Sequence, residues 1–469
     1  MDPVQFHVVT AIIFVLASVI RSVYAMGLSF PLTQRLATHL DHPHMVVRQH
    51  LPPLGTQHLT DQHQFVKTYS EHKPQLDNIS VNVSHHSAVY TVSVGVGTPP
   101  QMQSLLVDTG SSDVVVFSST SEQCRESSWG CGGGYNPIAS STYEKLDMPF
   151  VVGFGNQSDT ARGAFVRDDV LLGEFLIRKQ QVAMVEDSLL DFDIEGVLGL
   201  GYKSMQQTEE KYGTIASQIY SNDLPRRPLY SLYLDSRHRR EPLRQTSEKS
   251  LKSAFGNILE RRSTQSDPQA LPKASLDLGF IDTLKHVGDQ MSFIPCTSEH
   301  GFSVRLTDIT FPSSTGLTAS KSVSVLDKQA HGELDVLLDS GTIGILIIDN
   351  IADAIARRIS PLTIYDDSLP GYRMPCSAIP TSGDSYFEFT FSADFASRTK
   401  TVKVAFSELY RELSTASNTP GDKICLLDIV RESTYGIGNI LGTAFLSSVY
   451  AVFDVEEHRV GIAQATYYM

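Results

Sequence analysis

The sequence predicts an all-β protein built as two similar lobes with a cleft between them, and three observations carry that prediction. From Tyr90 onward the chain runs in short β-branched and aromatic stretches bounded by Gly, Pro and Ser, such as YTVSVGVGTPPQ at 90–101 and SVYAVFDVEEHRVGIAQA at 448–465. One motif occurs twice: LLVDTGSSD at 105–113, and VLLDSGTIGILII at 336–348, its aspartate 231 residues beyond the first. Each copy is followed, about 90 to 100 residues later, by an apolar-apolar-Gly partner, GVLGLGY at 196–202 and NILGTAF at 439–445. A repeat of that size points to two like halves facing each other, with the repeated aspartates meeting at their interface. Helical patterns are few. IADAIARRI at 351–359 is the clearest, with apolar residues at helical spacing.

Composition bounds the rest. The chain has 469 residues, enough for two or three ordinary domains, and 41% are hydrophobic, enough for a sizeable core. A net charge of −14 argues against a nucleic-acid binder, which normally shows a basic face. Residues 8–20 form an apolar run too short to span a bilayer, followed by Val23-Tyr24-Ala25, so 1–25 reads as a secretory signal peptide, although its first residues carry no Lys or Arg. No later stretch is expected to anchor the chain in a membrane. Sequons at Asn78, Asn82 and Asn156 permit glycosylation. The five cysteines, Cys124, Cys131, Cys296, Cys376 and Cys425, leave at least one thiol unpaired, and the sequence leaves the pairing open. A Cys124–Cys131 loop would contribute about 2.5 kcal/mol and a Cys376–Cys425 loop about 4 kcal/mol in the chain-entropy model.

Two segments differ from the β texture. Residues 26–88 hold nine of the fifteen histidines and show little periodicity. Residues 236–273 carry nine basic against four acidic residues, a local charge of +5, and read as a surface insertion exposed at Arg239-Arg240 and Arg261-Arg262.

The two aspartates carry the candidate chemistry. Asp108 and Asp339 each end a buried apolar run, and small or hydroxyl residues follow: Thr109, Gly110 and Ser111 in one copy, Ser340, Gly341 and Thr342 in the other. Two carboxylates held about 3 Å apart share one proton and titrate as a pair, a case for which aspartic proteases are the standard example. One carboxyl can then deprotonate a water while the other protonates a carbonyl, with no cofactor and no metal. Gly110 and Gly341 let the backbones approach, and Thr109 and Ser340 can brace the two loops. No H-E-x-x-H, G-x-S-x-G, paired C-x-x-C or phosphate-loop pattern offers another chemistry.

VDTGSSD, YNPIASSTY at 135–143, GVLGLG, LLDSGT and NILGTAFLSSVYAVFD appear in the order seen in pepsin-like aspartic proteases, the secreted fungal ones above all. From about Tyr90 to Ala465, roughly four-fifths of the chain, the sequence resembles that family. The resemblance implies the bilobal pepsin-like fold and an aspartic endopeptidase made as a zymogen and active in acid on polypeptides. It implies a signal peptide at 1–25, a His-rich prosegment at 26–88, an N-terminal lobe at 89–292 that includes the insertion, and a C-terminal lobe at 293–469. It places Ser111 and Thr342 as the hydroxyls that bond the aspartates, and disulfides among Cys124, Cys131, Cys376 and Cys425. The protein is expected to be a secreted monomer, with a vacuole as the alternative location and a catalytically inactive pepsin-fold binding or inhibitor protein as the alternative function.

The resemblance also marks a departure. The family's flap hairpin matches FVVGFGNQSDTARG at 150–163, which puts Phe154, beside Gly155, where the family has a tyrosine. The indole that this tyrosine usually meets is replaced by Val115. Donor and acceptor are lost together, which reads as an apolar contact at the flap. A glycan at Asn156 would obstruct that flap, so the sequon is expected to be unoccupied.

Overall fold

The computed structural model describes residues 79–86, 89–121, 124–125, 133–154, 159–188, 195–221, 228–236, 274–288, 291–312, 322–326, 332–367, 370–380, 385–393, 398–413 and 423–466. The signal-peptide reading, the histidine tract up to Asn78, most of the basic insertion, Cys131, Gly155 and Asn156 lie outside them.

Within them the protein is mostly β-sheet, in two lobes. The strand Gln101–Asp108 runs parallel to Gly196–Gly199, with Asp108 opposite Gly199. Gly196–Gly199 is antiparallel to Val114–Phe117, which runs parallel to Phe175–Ser188. The second half repeats this. Leu334–Leu338 is parallel to Asn439–Leu441, which is antiparallel to Ile345–Ile347, itself parallel to Ile429–Arg431. Both motif copies and both downstream partners therefore occupy equivalent places. The expected helix is present as Asp349–Ile359, with Ile351, Ala352, Ile355, Ala356 and Ile359 buried and Arg357 and Arg358 in its last turn, where cations suit the carbonyl end. The outer strands show two-residue periodicity: in Tyr386–Ser392 the side chains of Phe387, Phe389 and Phe391 face inward between half-buried neighbours.

The lobes share one sheet of 13 strands. Leu229–Tyr233, from the first half, pairs antiparallel with Val449–Asp454, from the second, and with Ser275–Leu278 on its other side. All three strands are buried along their whole length. Tyr233 lies opposite Ser275, so the ends of the basic insertion are brought together as the stem of a hairpin. The strand Ile79–His86 joins the same sheet, its first half paired with Ser275–Leu278 and its second with Val89–Val96. It lies inside the span expected of the prosegment.

A buried ion pair anchors this region. Lys285 Nζ lies 3.0 and 2.8 Å from the two oxygens of Asp277 and 2.7 Å from Ser275 Oγ, and Ser80 Oγ, on the first strand, donates to Asp277 at 2.5 Å. Asp277 is fully buried and Lys285 is 7% exposed. Lys285→Ala would leave a buried carboxylate without its cation, and we expect it to lower unfolding stability by about 3–5 kcal/mol in a denaturant titration. Adding Asp277→Leu should recover most of that loss. A single variant as stable as the wild type would show the carboxylate to be compensated elsewhere.

Cys376 and Cys425 form a disulfide, with Cα atoms 4.9 Å apart. Cys124 is also disulfide-bonded, and Cys131, its expected partner, lies outside the described residues. The odd thiol is Cys296, half-buried 3.6 Å from the Tyr202 hydroxyl, and burial pushes it up to about 11.

Candidate active site

Each aspartate sits where a parallel strand pair ends. Beyond that point the chain must turn, and its neighbours are already held: Leu200 N–H donates to Asp108 O at 2.8 Å, and Asp339 N–H donates to Leu441 O at 3.2 Å. The two turns then lock into each other. Thr109 Oγ1 donates to Leu338 O at 2.9 Å and accepts from Ser340 N–H at 2.9 Å. In return Ser340 Oγ donates to Val107 O at 2.8 Å and accepts from Thr109 N–H at 3.1 Å. Four hydrogen bonds thus cross between halves over 200 residues apart in sequence, all of them buried.

Inside this clasp the carboxyls have matching environments. Asp108 Oδ1 accepts from Gly110 N–H at 2.8 Å and its Oδ2 accepts from the Ser111 hydroxyl. Asp339 Oδ1 accepts from Gly341 N–H at 2.8 Å and its Oδ2 accepts from Thr342 Oγ1 at 2.6 Å. The two carboxyls lie close enough to influence each other's charge, and both residues are fully buried. Burial pushes both up from the ordinary carboxylate range, and at Asp108 the neighbouring Asp339 charge adds to it. Such a pair holds one proton between two oxygen-rich groups, and the donors from Ser111, Thr342 and the glycine amides keep the other charge tolerable.

Glycine is required at two places here. A Cβ on Gly110 would lie 2.6 Å from the Asp339 carboxyl carbon, and one on Gly442 would lie 2.3 Å from the carbonyl oxygens of Thr342 and Gly344. An apolar cluster runs across the halves, with Leu106, Phe117, Phe150, Phe165 and Val197 packed together with Ile343, Leu346, Val430 and Ile440.

The chain is similar to known proteins. A model of the family described as eukaryotic aspartyl protease matches residues 89–243 and 252–465. The chain belongs to that family. The protease is 27% identical over 406 residues to Secreted aspartic protease 1 of Candida albicans, covering 85% of this chain and 87% of that protein. Candidapepsin-4 of Candida albicans is 27% identical over 400 residues, covering 83% and 79%. The crystal structure of aspartic proteinase from Irpex lacteus superposes with a TM-score of 0.57 at 20% identity, over 84% of this chain and 98% of that one, a likeness of fold. The protease is therefore an aspartic-type endopeptidase of the pepsin-like kind.

The structure brings together all eight motif residues named from the sequence: Asp108, Thr109, Gly110, Ser111, Asp339, Ser340, Gly341 and Thr342. Phe154 ends the strand Glu144–Phe154, which pairs with Asp159–Leu172 as a hairpin, while Gly155 lies outside the described residues. Val115 is half-buried in Val114–Phe117, packed against this apolar cluster. Sequence reasoning passed over Asp113, which is 4% exposed and five residues beyond Asp108. The signal was present, since an aspartate stands between SS and VVVF, but its partner is 99 residues away.

Proposed function

We propose that the protease hydrolyses polypeptides in acid through a water activated by Asp108 and Asp339, that it is made as a zymogen, and that it is secreted. The observation that carries this is the mutual clasp of the two motif turns around two buried, hydrogen-bonded carboxyls. In the singly protonated pair, the ionised carboxyl takes a proton from a water lying between the two. The protonated carboxyl gives its proton to the peptide carbonyl oxygen as the water oxygen attacks the carbonyl carbon. The tetrahedral gem-diol then collapses: the carboxyl that took the water proton gives it to the amide nitrogen as the C–N bond breaks, and the other carboxyl takes a proton from a diol hydroxyl, which restores the singly protonated pair. Ser111 and Thr342 hold the carboxyls in plane for this exchange. The substrates are chains with apolar residues around the scissile bond, acted on by a monomer.

Secretion is supported by the apolar N-terminal run and by the secreted relatives, and among the described residues no helix is long and apolar enough to cross a membrane. For the zymogen, strand Ile79–His86 supports a prosegment that ends before Ile79: the strand pairs on both flanks, and Ser80 reaches the buried Asp277–Lys285 pair. Release at residue 88 would remove a strand from the shared sheet.

The replacements at Phe154 and Val115 keep a second reading open, an inactive pepsin-fold binding protein. One experiment separates the two. Purified, processed protein at acidic pH is offered a denatured protein substrate, with and without a pepstatin-like transition-state analogue. Cleavage that the analogue stops is the expected result. An intact substrate after prolonged incubation, with the analogue still bound tightly, would leave the binding protein as the correct reading.

A further inference from the structure

Asp113 and Tyr212 form a polar contact that the hydrolytic step described above does not use. Tyr212 OH donates to Asp113 Oδ1, and Gln207 N–H donates to Asp113 Oδ2 at 2.9 Å. Both carboxylate oxygens therefore face donors, which is the pattern an ionised acceptor satisfies and a neutral acid does not. Lys211, the nearby cation, bonds Gln206 O at 2.8 Å. Tyr212 is itself clamped, since the Gln206 side chain accepts from its N–H at 3.0 Å and donates to its carbonyl at 3.1 Å.

The placement of this pair connects two parts of the site. On one side, the backbone from Ser111 to Asp113 is zipped to the segment 199–202: Gly201 N–H donates to Ser111 O at 2.7 Å, Gly199 N–H to Asp113 O at 3.1 Å, and Ser112 Oγ to Tyr202 O at 2.6 Å. Ser111 is the hydroxyl that bonds Asp108. On the other side, the Tyr212 ring meets Phe165 edge-on at 6.1 Å, and Phe165 meets Phe150 edge-on at 5.3 Å. Phe150 and Phe165 belong to the two strands of the hairpin that ends at Phe154. Val115, where the resemblance led us to expect an indole, packs in the same apolar cluster as Tyr212.

We propose that Asp113 and Tyr212 are positioning residues for the hydrolysis: their hydrogen bond holds Ser111 against Asp108 and couples that turn to the base of the flap hairpin. The tie acts through Ser111 and touches no substrate. Burial disfavours the charged form of Asp113, and the Tyr212 hydroxyl, the Gln207 amide and the Lys211 charge oppose that, so removing the Tyr212 donor leaves a buried carboxyl short of a partner.

The consequence is readable in the dyad. The groups facing Asp108 are Asp339, the Ser111 hydroxyl and Gly110 N–H, and the Ser111 bond favours the ionised form of Asp108. Loosening Ser111 removes that help and raises Asp108 further, so the acid limb of kcat/KM moves to higher pH.

The test uses processed enzyme carrying Tyr212→Phe, Asp113→Asn and both together, assayed across acidic pH with one peptide substrate. Each single variant is expected to lower kcat about tenfold with KM within about twofold, and to move the acid limb upward. The double variant should be no worse than the more damaged single, because both break one contact. Wild-type kcat and an unmoved limb, with only a lowered unfolding midpoint, would overturn the proposal, as would effects that simply multiply or variants that fail to fold. The inference rests on the Asp108–Asp339 assignment, and Asp108→Asn run alongside separates the two. An active Asp108→Asn enzyme sinks that assignment, whereas an inactive one beside a wild-type-like Tyr212→Phe sinks only the positioning role.

Discussion

Asp108→Asn and Asp339→Asn are each expected to reduce turnover by at least about a thousandfold while leaving the protein folded. An amide in either place can neither take a proton from water nor give one to a carbonyl, and the division of labour between the two carboxyls ends. The clasp made by Thr109 and Ser340 does not involve the carboxyls, so the halves stay docked. The stability of the variants is a second readout. Both carboxyls are raised above their unfolded values, so the pair favours the folded state in acid, and that contribution is lost as pH rises through the raised values. Near neutrality the wild type must hold charge in a buried site, and each Asn variant holds less. The variants should therefore resist denaturation at pH 7 better than the wild type and show no advantage in acid. Single-turnover assays on protein free of contaminating protease decide the first claim: wild-type rates in either variant would remove that aspartate from the reaction. Thermal melts at two pH values decide the second.

Gly110→Ala should cost at least about a hundredfold in kcat at little cost in folding. The added methyl would lie 2.6 Å from both the carboxyl carbon and Oδ1 of Asp339, and 2.8 Å from its Oδ2. That carboxyl has nowhere to withdraw, because Gly341 N–H and Thr342 Oγ1 already hold it. Either those bonds lengthen or the turn at Gly110 shifts, and both spoil the matched geometry of the pair. A pepstatin-like analogue should lose affinity in parallel, since it too requires the paired carboxyls. Unchanged turnover and unchanged inhibitor binding would mean that the two turns are further apart than the clasp implies.

Residues that act through their immediate neighbours were legible in the sequence. Asp108 and Asp339 could be read because each aspartate, its turn and its hydroxyl lie within four consecutive positions at the end of an apolar run. The Asp349–Ile359 helix was legible for the same reason, its apolar residues recurring at helical spacing over a short span. Contacts closed over long distances left no such pattern. Tyr212 meets Asp113 across 99 intervening steps of chain, in a segment whose residues, TEEKYG, read as an ordinary polar turn. Lys285 and Asp277 are eight residues apart, yet their meeting depends on the sheet beneath them. The strand Ile79–His86 alternates weakly and sits at the end of a histidine-rich tract, so its composition spoke for a leader while its hydrogen bonds join it to the sheet.

The shared sheet has a consequence for how the protein comes into being. Leu229–Tyr233 lacks its neighbour Val449–Asp454 until roughly two hundred further residues have been made. At about 5–20 residues per second, translation leaves that strand edge waiting for some ten to forty seconds. For about the first half of that interval, until Asp339 is made, one half already carries its aspartate and no second aspartate exists to meet it. A chain cut short before Asp339 therefore carries one carboxyl of the two, so the order of synthesis itself keeps the early nascent chain without a complete pair.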